Sequence, residues 1–331
     1  MKSDPTSSRR RGTLVVLAAT PFPLLRPTAA RAQSWPTRPI RIVVTFSPGG
    51  SSDIVARLIA PLLAEKLGQP VVVENRPGAG TTIGAAEVAR AAPDGYTFML
   101  SNTAPISLSP FMLERPTYDP LKSFSHIAYI GAVPNVFVVH PDVPARTVPE
   151  FVAWARTQGT VNFGSGGVGS IGHIVGEILK SEQKIDLQHV GYRGSGPMHN
   201  DLVGGTIKFA IDTLPQNVPY AQANRLRLLA VTSPKRAAMV PDVPTVLEVG
   251  MPKLVAENFF GLSAPAGLPQ SIADTVNRHV ATIVDDPRVR KNFTETGVES
   301  GKMSPAEFTA FVEKQVATWA PAVKASGAKL Q

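Results

Sequence analysis

Residues 46–53 (FSPGGSSD) form a glycine- and serine-rich loop between an apolar run at 42–44 and a helical pattern that begins at Ile54. The first turn of a helix has N–H groups without intrahelical partners and a partial positive charge. Glycines let such a backbone come close to a ligand, and serines add hydroxyl donors. The segment therefore predicts an anion site at a helix start, with Asp53 as a possible helix cap.

The same arrangement occurs twice more along the chain. Residues 164–170 (GSGGVGS) follow the apolar run 161–163 and precede a helical pattern that begins at Ile171. A weaker copy lies at 190–197. Ligands of open α/β sheets bind outside the carboxyl ends of the strands, beside helix N-termini. Two such ends facing each other across a cleft could hold a small anion from both sides.

Short apolar runs alternate with helical patterns along the chain, which favours an α/β fold with parallel strands and crossover helices. The length suggests two domains of ordinary size. Strands are expected at 71–74, 96–100 and 136–140, and helices at 83–92, 272–283 and 305–316.

The first 32 residues read as an export signal rather than as part of the fold. A basic start with three consecutive arginines precedes a short apolar stretch broken by prolines, and Ala30-Arg31-Ala32 offers a cleavage site. The arginines leave the twin-arginine route open beside general secretion. We therefore expect a periplasmic protein.

Charge and cysteine content narrow the function further. The chain has a formal net charge of +8, and removing residues 1–32 takes away six basic residues and one acidic residue, which leaves +3. A nucleic-acid partner therefore has little support. The chain has no cysteine, which excludes disulfides, thiolate nucleophiles and cysteine-ligated zinc.

The sequence contains only incomplete motifs for nucleotide binding, metal binding and serine hydrolysis. Residues 164–169 match the dinucleotide pattern G-x-G-x-x-G, but no acidic residue ends the next strand to bind a ribose. His173 and Glu177 would share a helix face, yet no third metal ligand is evident. No serine lies in a G-x-S-x-G surround. Glycines that serve only tight turns remain an alternative for each loop.

The motifs together resemble the Bug family, also called TctC: periplasmic substrate-binding proteins of tripartite tricarboxylate transporters. The resemblance covers nearly all of the chain after residue 32. It is carried by the motifs WPTRPI at 35–40, PGGSSD at 48–53, VENRPGAG at 73–80, PDGY at 93–96, YRG at 192–194, LAVTS at 229–233, PDVPTV at 241–246 and GLSAPAG at 261–267.

This resemblance implies a type II periplasmic-binding-protein fold with two α/β lobes around a hinged cleft. Lobe 1 would comprise residues 33–133 and 258–331, and lobe 2 residues 134–257. A small carboxylate would be held by backbone N–H groups of the two loops, without catalysis, metal or cofactor. The ligand-binding residues implied are Phe46, Gly49, Gly50, Ser51, Ser52 and Asp53 from the first loop, Ser165, Gly166, Gly167 and Ser170 from the second, and Thr103, Gly194, Ser195 and Asp212 around the distal part of the cleft.

The resemblance also implies a monomer that delivers its ligand to membrane transporter subunits. A sensor-input module with the same binding chemistry is the main alternative, and a nucleotide-dependent enzyme is a weaker one. The chain departs from the common family pattern at 109–111 (SPF) and at Gly166-Gly167. The two glycines leave the second loop with fewer side chains than is usual in the family. Asp212 ends an apolar run; it could be a surface or capping residue, or could bind a ligand amino or hydroxyl group if it faces the cleft.

Overall fold

The computed structural model describes residues 35–330, which belong to one compact unit. The predicted export signal lies outside these residues. No helix between residues 35 and 330 is long and apolar enough to cross a bilayer.

The described residues form a mixed α/β fold with ten strands and nine helices, as the sequence predicted. The strands are β1 (Ile40–Val44), β2 (Val71–Asn75), β3 (Thr97–Asn102), β4 (Phe124–Val139), β5 (Val161–Gly164), β6 (Leu187–Val190), β7 (Phe209–Thr213), β8 (Arg227–Val231), β9 (Glu257–Pro265) and β10 (Glu299–Ser300). The helices are α1 (Ser51–Leu67), α2 (Thr82–Ala89), α3 (Val148–Thr157), α4 (Ile171–Gln183), α5 (Ser195–Val203), α6 (Leu214–Gln222), α7 (Gln270–Ile283), α8 (Pro287–Glu295) and α9 (Pro305–Ser326).

The strands pair in the order β2-β1-β3-β9-β4-β7-β5-β6, and β8 and β10 also pair with β4. Strand β1 is parallel to β2 and β3, and β5 is parallel to β6 and β7. The antiparallel strands β9 and β4 lie between these two parallel groups. Each parallel group therefore has its own carboxyl edge, and α1 and α4 begin just after strands β1 and β5 at these edges.

Strand β4 is shared by both groups of strands. Its residues 124–134 pair with β9, and residues 135–139 pair with β7. The sequence predicted only a strand at 136–140. Fourteen of the sixteen residues of β4 are buried, so no polar–apolar alternation marks the strand, and Pro134 reads as a strand breaker.

Helix α9 packs against both groups of strands. Phe308 and Val312 lie in a core cluster with residues of β1, β3 and β9. Trp319 and Val323 lie in a different cluster, with α4 and the strands β5 and β7. The predicted helix end at residue 316 is therefore wrong, because burial of this second set of side chains carries the helix on through Pro321.

Candidate functional site

The first loop leaves the start of α1 open. Gly50 is the N-cap residue, with extended backbone and no side-chain hydrogen bond to the helix. Among residues 35–330, the N–H groups of Ser51 and Ser52 have no hydrogen-bond acceptor. These donors and the positive end of the helix dipole could hydrogen-bond an anion, and the binding of a ligand by this loop stays a prediction.

Asp53 braces the first loop. Its carboxylate accepts hydrogen bonds from Gly49 N, Arg57 Nε and Asn75 Nδ2, each 2.9 Å long. Asn75 also donates to the carbonyl of Phe46, at 3.0 Å. Burial by itself would raise the pKa of Asp53, but hydrogen bonds from Arg57, Gly49 and Asn75 lower it below its usual value. An ionised Asp53 therefore holds Gly49 instead of capping α1.

Two further predicted residues join strand ends within the fold. The hydroxyl of Ser52 accepts a 2.7 Å hydrogen bond from Nδ2 of Asn102, the last residue of β3. Thr103 is fully buried; its hydroxyl donates to the carbonyl of Glu257 and accepts from Phe259 N, both at 3.1 Å. Thr103 therefore connects β3 to the start of β9, and its contact with a ligand stays a prediction.

The second loop is held by a buried hydroxyl network. Ser165 Oγ lies 2.8 Å from His189 Nε2 and accepts from Ser170 Oγ, at 3.0 Å, and from Gly167 N, at 3.2 Å. Ser170 caps α4 by accepting from His173 N. The structure therefore brings these three predicted residues of the second loop together and leaves Gly166 outside the network.

Two histidines lie stacked behind this loop. The rings of His173 and His189 have centroids 3.9 Å apart, and His173 Nδ1 accepts from Gly169 N. Burial lowers the pKa of His173 to about 4 and that of His189 to about 3. Both rings are therefore neutral at neutral pH, so they add no positive charge to the anion site.

We expect these histidines to make the folded protein sensitive to acid. Because their folded-state pKa values lie below the unfolded value of 6.5, their contribution to the free energy of unfolding is full above pH 6.5 and is lost as the pH falls toward 4 and 3. Urea unfolding across this range should show less loss in His189→Gln than in the parent. Burial raises the pKa of the neighbouring Glu177, which acts in the opposite direction but equally in both proteins. If the free energy of unfolding of His189→Gln depended on pH in the same way as that of the parent, the lowered pKa of His189 would be contradicted.

A third cluster brings three predicted residues together beside the second loop. Ser195 follows the N-cap Gly194 of α5, and its hydroxyl donates a 2.9 Å hydrogen bond to Asp212 Oδ1. A Cβ atom added to Gly166 would lie 3.3 Å from Asp212 Oδ1 and 3.4 Å from Ser195 Oγ. Asp212 is 4% exposed. Burial raises its pKa, and the neighbouring His199 and the Ser195 hydrogen bond oppose that rise.

Titratable side chains near the second loop do not form a metal centre. His173 Nε2 and Glu177 Oε1 are 4.0 Å apart. Within the part of the chain that the structure describes, no group of three or more His, Asp or Glu side chains has an arrangement that could hold a metal ion. The chemistry that the site supports is hydrogen bonding to an anion.

Comparison with known proteins identifies the family. The model of the tripartite tricarboxylate transporter family receptor, TctC, matches residues 55–328. The chain belongs to the TctC family. Protein BugT of Bordetella pertussis is 34% identical to this TctC receptor over 302 residues, which cover 91% of this chain and 93% of BugT. The resemblance inferred from the sequence motifs is confirmed.

Two solved structures share the fold of this TctC receptor. R. palustris Rpa4515 with adipate is 34% identical, with a TM-score of 0.81, over 88% of this chain and 98% of the other. MatC (Rpa3494) from Rhodopseudomonas palustris with bound malate is 30% identical, with a TM-score of 0.80, over 87% and 100%. This TctC receptor thus has the fold of a family of periplasmic solute-binding proteins, which are not enzymes.

The sequence did not predict the side chains that support the two loops of this TctC receptor. Asn75, Asn102 and His189 all lie at or next to the carboxyl ends of strands, where polar side chains often support ligand sites. Asn102 was overlooked because β3 continues two residues beyond the strand expected at 96–100. A polar residue at the end of each predicted strand was the available signal.

Proposed function

We propose that this TctC receptor captures a small carboxylate in the periplasm and delivers it to a tripartite tricarboxylate-type transporter. The observation that carries the proposal is the open start of α1, where Gly50 provides no side-chain cap and the N–H groups of Ser51 and Ser52 have no acceptor within residues 35–330. A carboxylate would accept these hydrogen bonds, and charge-assisted bonds of this kind are stronger than neutral ones.

The second loop would hold the same carboxylate from the opposite side. The hydroxyl of Ser165 lies within hydrogen-bond distance of His189, and Gly166 and Gly167 are half-buried, which leaves part of their backbone exposed. The adipate and malate in the related structures support carboxylates as the ligand class. Because the two histidines are neutral and Asp53 is already paired, binding would rely on backbone and hydroxyl donors.

We further propose that the two lobes move about the connecting strands β4 and β9. Lobe 1 would comprise residues 33–133 and 258–331, and lobe 2 residues 134–257. Closure would exclude water from the site and strengthen each N–H to carboxylate bond. Residues 1–32 would direct export. The mature receptor would act as a monomer without metal or cofactor, and its closed form would bind the transporter's membrane subunits.

A thermal-shift experiment on residues 33–331 tests carboxylate capture. The protein would first be unfolded and refolded to remove any co-purified ligand, and then mixed with adipate, malate and monocarboxylates. A ligand at a hundredfold excess over its Kd should stabilise the fold by about 2.7 kcal/mol. The neutral amides of the same acids are the matched controls. Equal shifts with acids and amides, or shifts with nucleotides or sugars alone, would overturn the proposal.

A further inference from the structure

We infer that the segment after α9, residues 327–330, is a strap that holds the carboxyl edges of the two parallel strand groups together and so favours the closed cleft. Its anchor is the side chain of Leu330. The inference goes beyond carboxylate capture, but it rests on the proposed movement of the two lobes, because a strap of this kind acts only if the two edges can separate.

The backbone of the strap is fixed at both ends. Helix α9 stops at the C-cap Gly327, whose left-handed backbone (φ 69°) lets its N–H donate back into the last turn of the helix. Ser326 Oγ accepts a hydrogen bond from Ala328 N, at 3.2 Å. At the other end, Leu330 N donates a 3.1 Å hydrogen bond to the carbonyl of Met112. These bonds set the direction in which the strap leaves the helix.

The side chain of Leu330 contacts both carboxyl edges. Its two methyl groups lie over the bare face of Gly80, where an added Cβ would come within 2.6 Å of each. An added Cβ on Gly169 would lie 3.7 Å from Leu330 Cδ2. Gly80 follows β2, which is parallel to β1, and Gly169 follows β5 in the second loop. The two glycines therefore belong to different parallel groups, and one leucine lies between them.

The turn that receives Leu330 has an unusual backbone. Residues 78–81 all have positive φ, at 131°, 44°, 58° and 82°, and two of them are not glycine. Left-handed backbone is unfavourable for residues with a Cβ, so such a turn persists only when its surroundings hold it. Thr81 Oγ1 donates to Ser109 Oγ, at 3.3 Å. Because Gly80 has no side chain, Leu330 packs directly on the backbone of this turn and adds a second support.

Leu330 has its base on the side of the second loop. Leu330 and Ala328 pack, partly buried, on the core cluster that α4, β5 and β7 share, and Met112 belongs to the same cluster. The contact with Gly80 is the one that reaches the other parallel group. Separation of the edges would leave Leu330 on its base and break its contact with Gly80. The contact therefore stabilises the closed arrangement relative to the open one.

A distance measurement on the ligand-free protein tests the strap without relying on carboxylate capture. The chain has no cysteine, so cysteines placed at the exposed Ile83, at the start of α2, and Arg193, just after β6, can carry one pair of spin labels. We expect Leu330→Ala to shift the distance distribution to longer values than in the parent. Lys329→Ala, at the exposed neighbouring residue, should leave the distribution unchanged.

A second variant changes the other side of the contact and keeps Leu330. Gly80→Asn should lengthen the distance as Leu330→Ala does, because asparagine tolerates left-handed backbone and its side chain would take the place of the leucine methyl groups. A distribution in Leu330→Ala that matches that of the parent, or that moves to shorter distances, would overturn the inference whether or not the protein binds a carboxylate.

Ligand affinity provides an independent measurement. Because the apparent Kd rises as the closed fraction falls, Leu330→Ala should bind adipate or malate about 3- to 10-fold more weakly than the parent, as expected for loss of a partly buried apolar contact. Lys329→Ala should bind as the parent does. Unchanged or tighter binding by Leu330→Ala would overturn the strap and leave carboxylate capture intact. A parent protein that binds no carboxylate would overturn carboxylate capture, and the measured distances alone would then decide whether the strap exists.

Discussion

Ser51→Pro is expected to weaken carboxylate binding about 10- to 100-fold while the protein remains folded. Ser51 is the first residue of α1, and proline at this position removes one N–H donor without breaking the helix. Gly50 has φ −79° and ψ 168°, a conformation that suits the residue before a proline. A lost hydrogen bond to a charged group costs about 1.5–3 kcal/mol. Titration calorimetry would measure the change in Kd.

Ser51→Ala is the matched control for this experiment. It removes the hydroxyl and keeps the backbone N–H, so it separates the two donors of the same residue. The free energy of unfolding of Ser51→Pro should stay within about 1 kcal/mol of the parent. A proline variant that binds the ligand as tightly as the parent would show that this N–H does not contact the carboxylate.

Gly172→Ala is expected to lower the free energy of unfolding by about 3 kcal/mol or more. Gly172 lies in the first turn of α4, where an added Cβ would overlap the backbone carbonyl oxygen of Ile211 in β7. A backbone group cannot move aside as a flexible side chain can, so α4 would have to lift away from β7. Urea unfolding monitored by circular dichroism would measure the loss.

Gly159→Ala is the control for Gly172→Ala. Gly159 is exposed and an added Cβ there would contact nothing within 4 Å, so its free energy of unfolding should change by about 0.5 kcal/mol or less. The close approach at Gly172 also sets the start of α4 next to Asp212. Any Gly172→Ala protein that folds should therefore bind its ligand more weakly. A variant as stable as the parent would contradict this packing of α4 on β7.

The glycine loops and their helices could be predicted because the information is local. A strand, a glycine-rich turn and a helix start lie within a few residues of one another, so hydrophobic spacing and turn chemistry identify them. Helix α4 begins at Ile171, as predicted, whereas α1 begins at Ser51, inside the first predicted loop and three residues before the predicted start at Ile54. The family could also be predicted from the sequence, because its different motifs occur along the chain in the expected order.

The length of β4 and α9 could not be read from the same local patterns. Most of β4 is buried, so alternation disappears, and Pro134 hides the continuity of the strand. Helix α9 continues through Pro321 because Trp319 and Val323 pack against residues of α4, β5 and β7 that are distant in sequence. In both elements, tertiary burial outweighs the local preference.

The sequence by itself determined the α/β class, the glycine loops at the helix starts and the TctC family. Only the tertiary structure decided which side chains support those loops. Ser195 and Asp212 are 17 residues apart, Ser165 and His189 are 24 apart, and Ser52 and Asn102 are 50 apart. Hydrogen bonds across such separations depend on how the strands are ordered in the sheet, and no local pattern encodes that order.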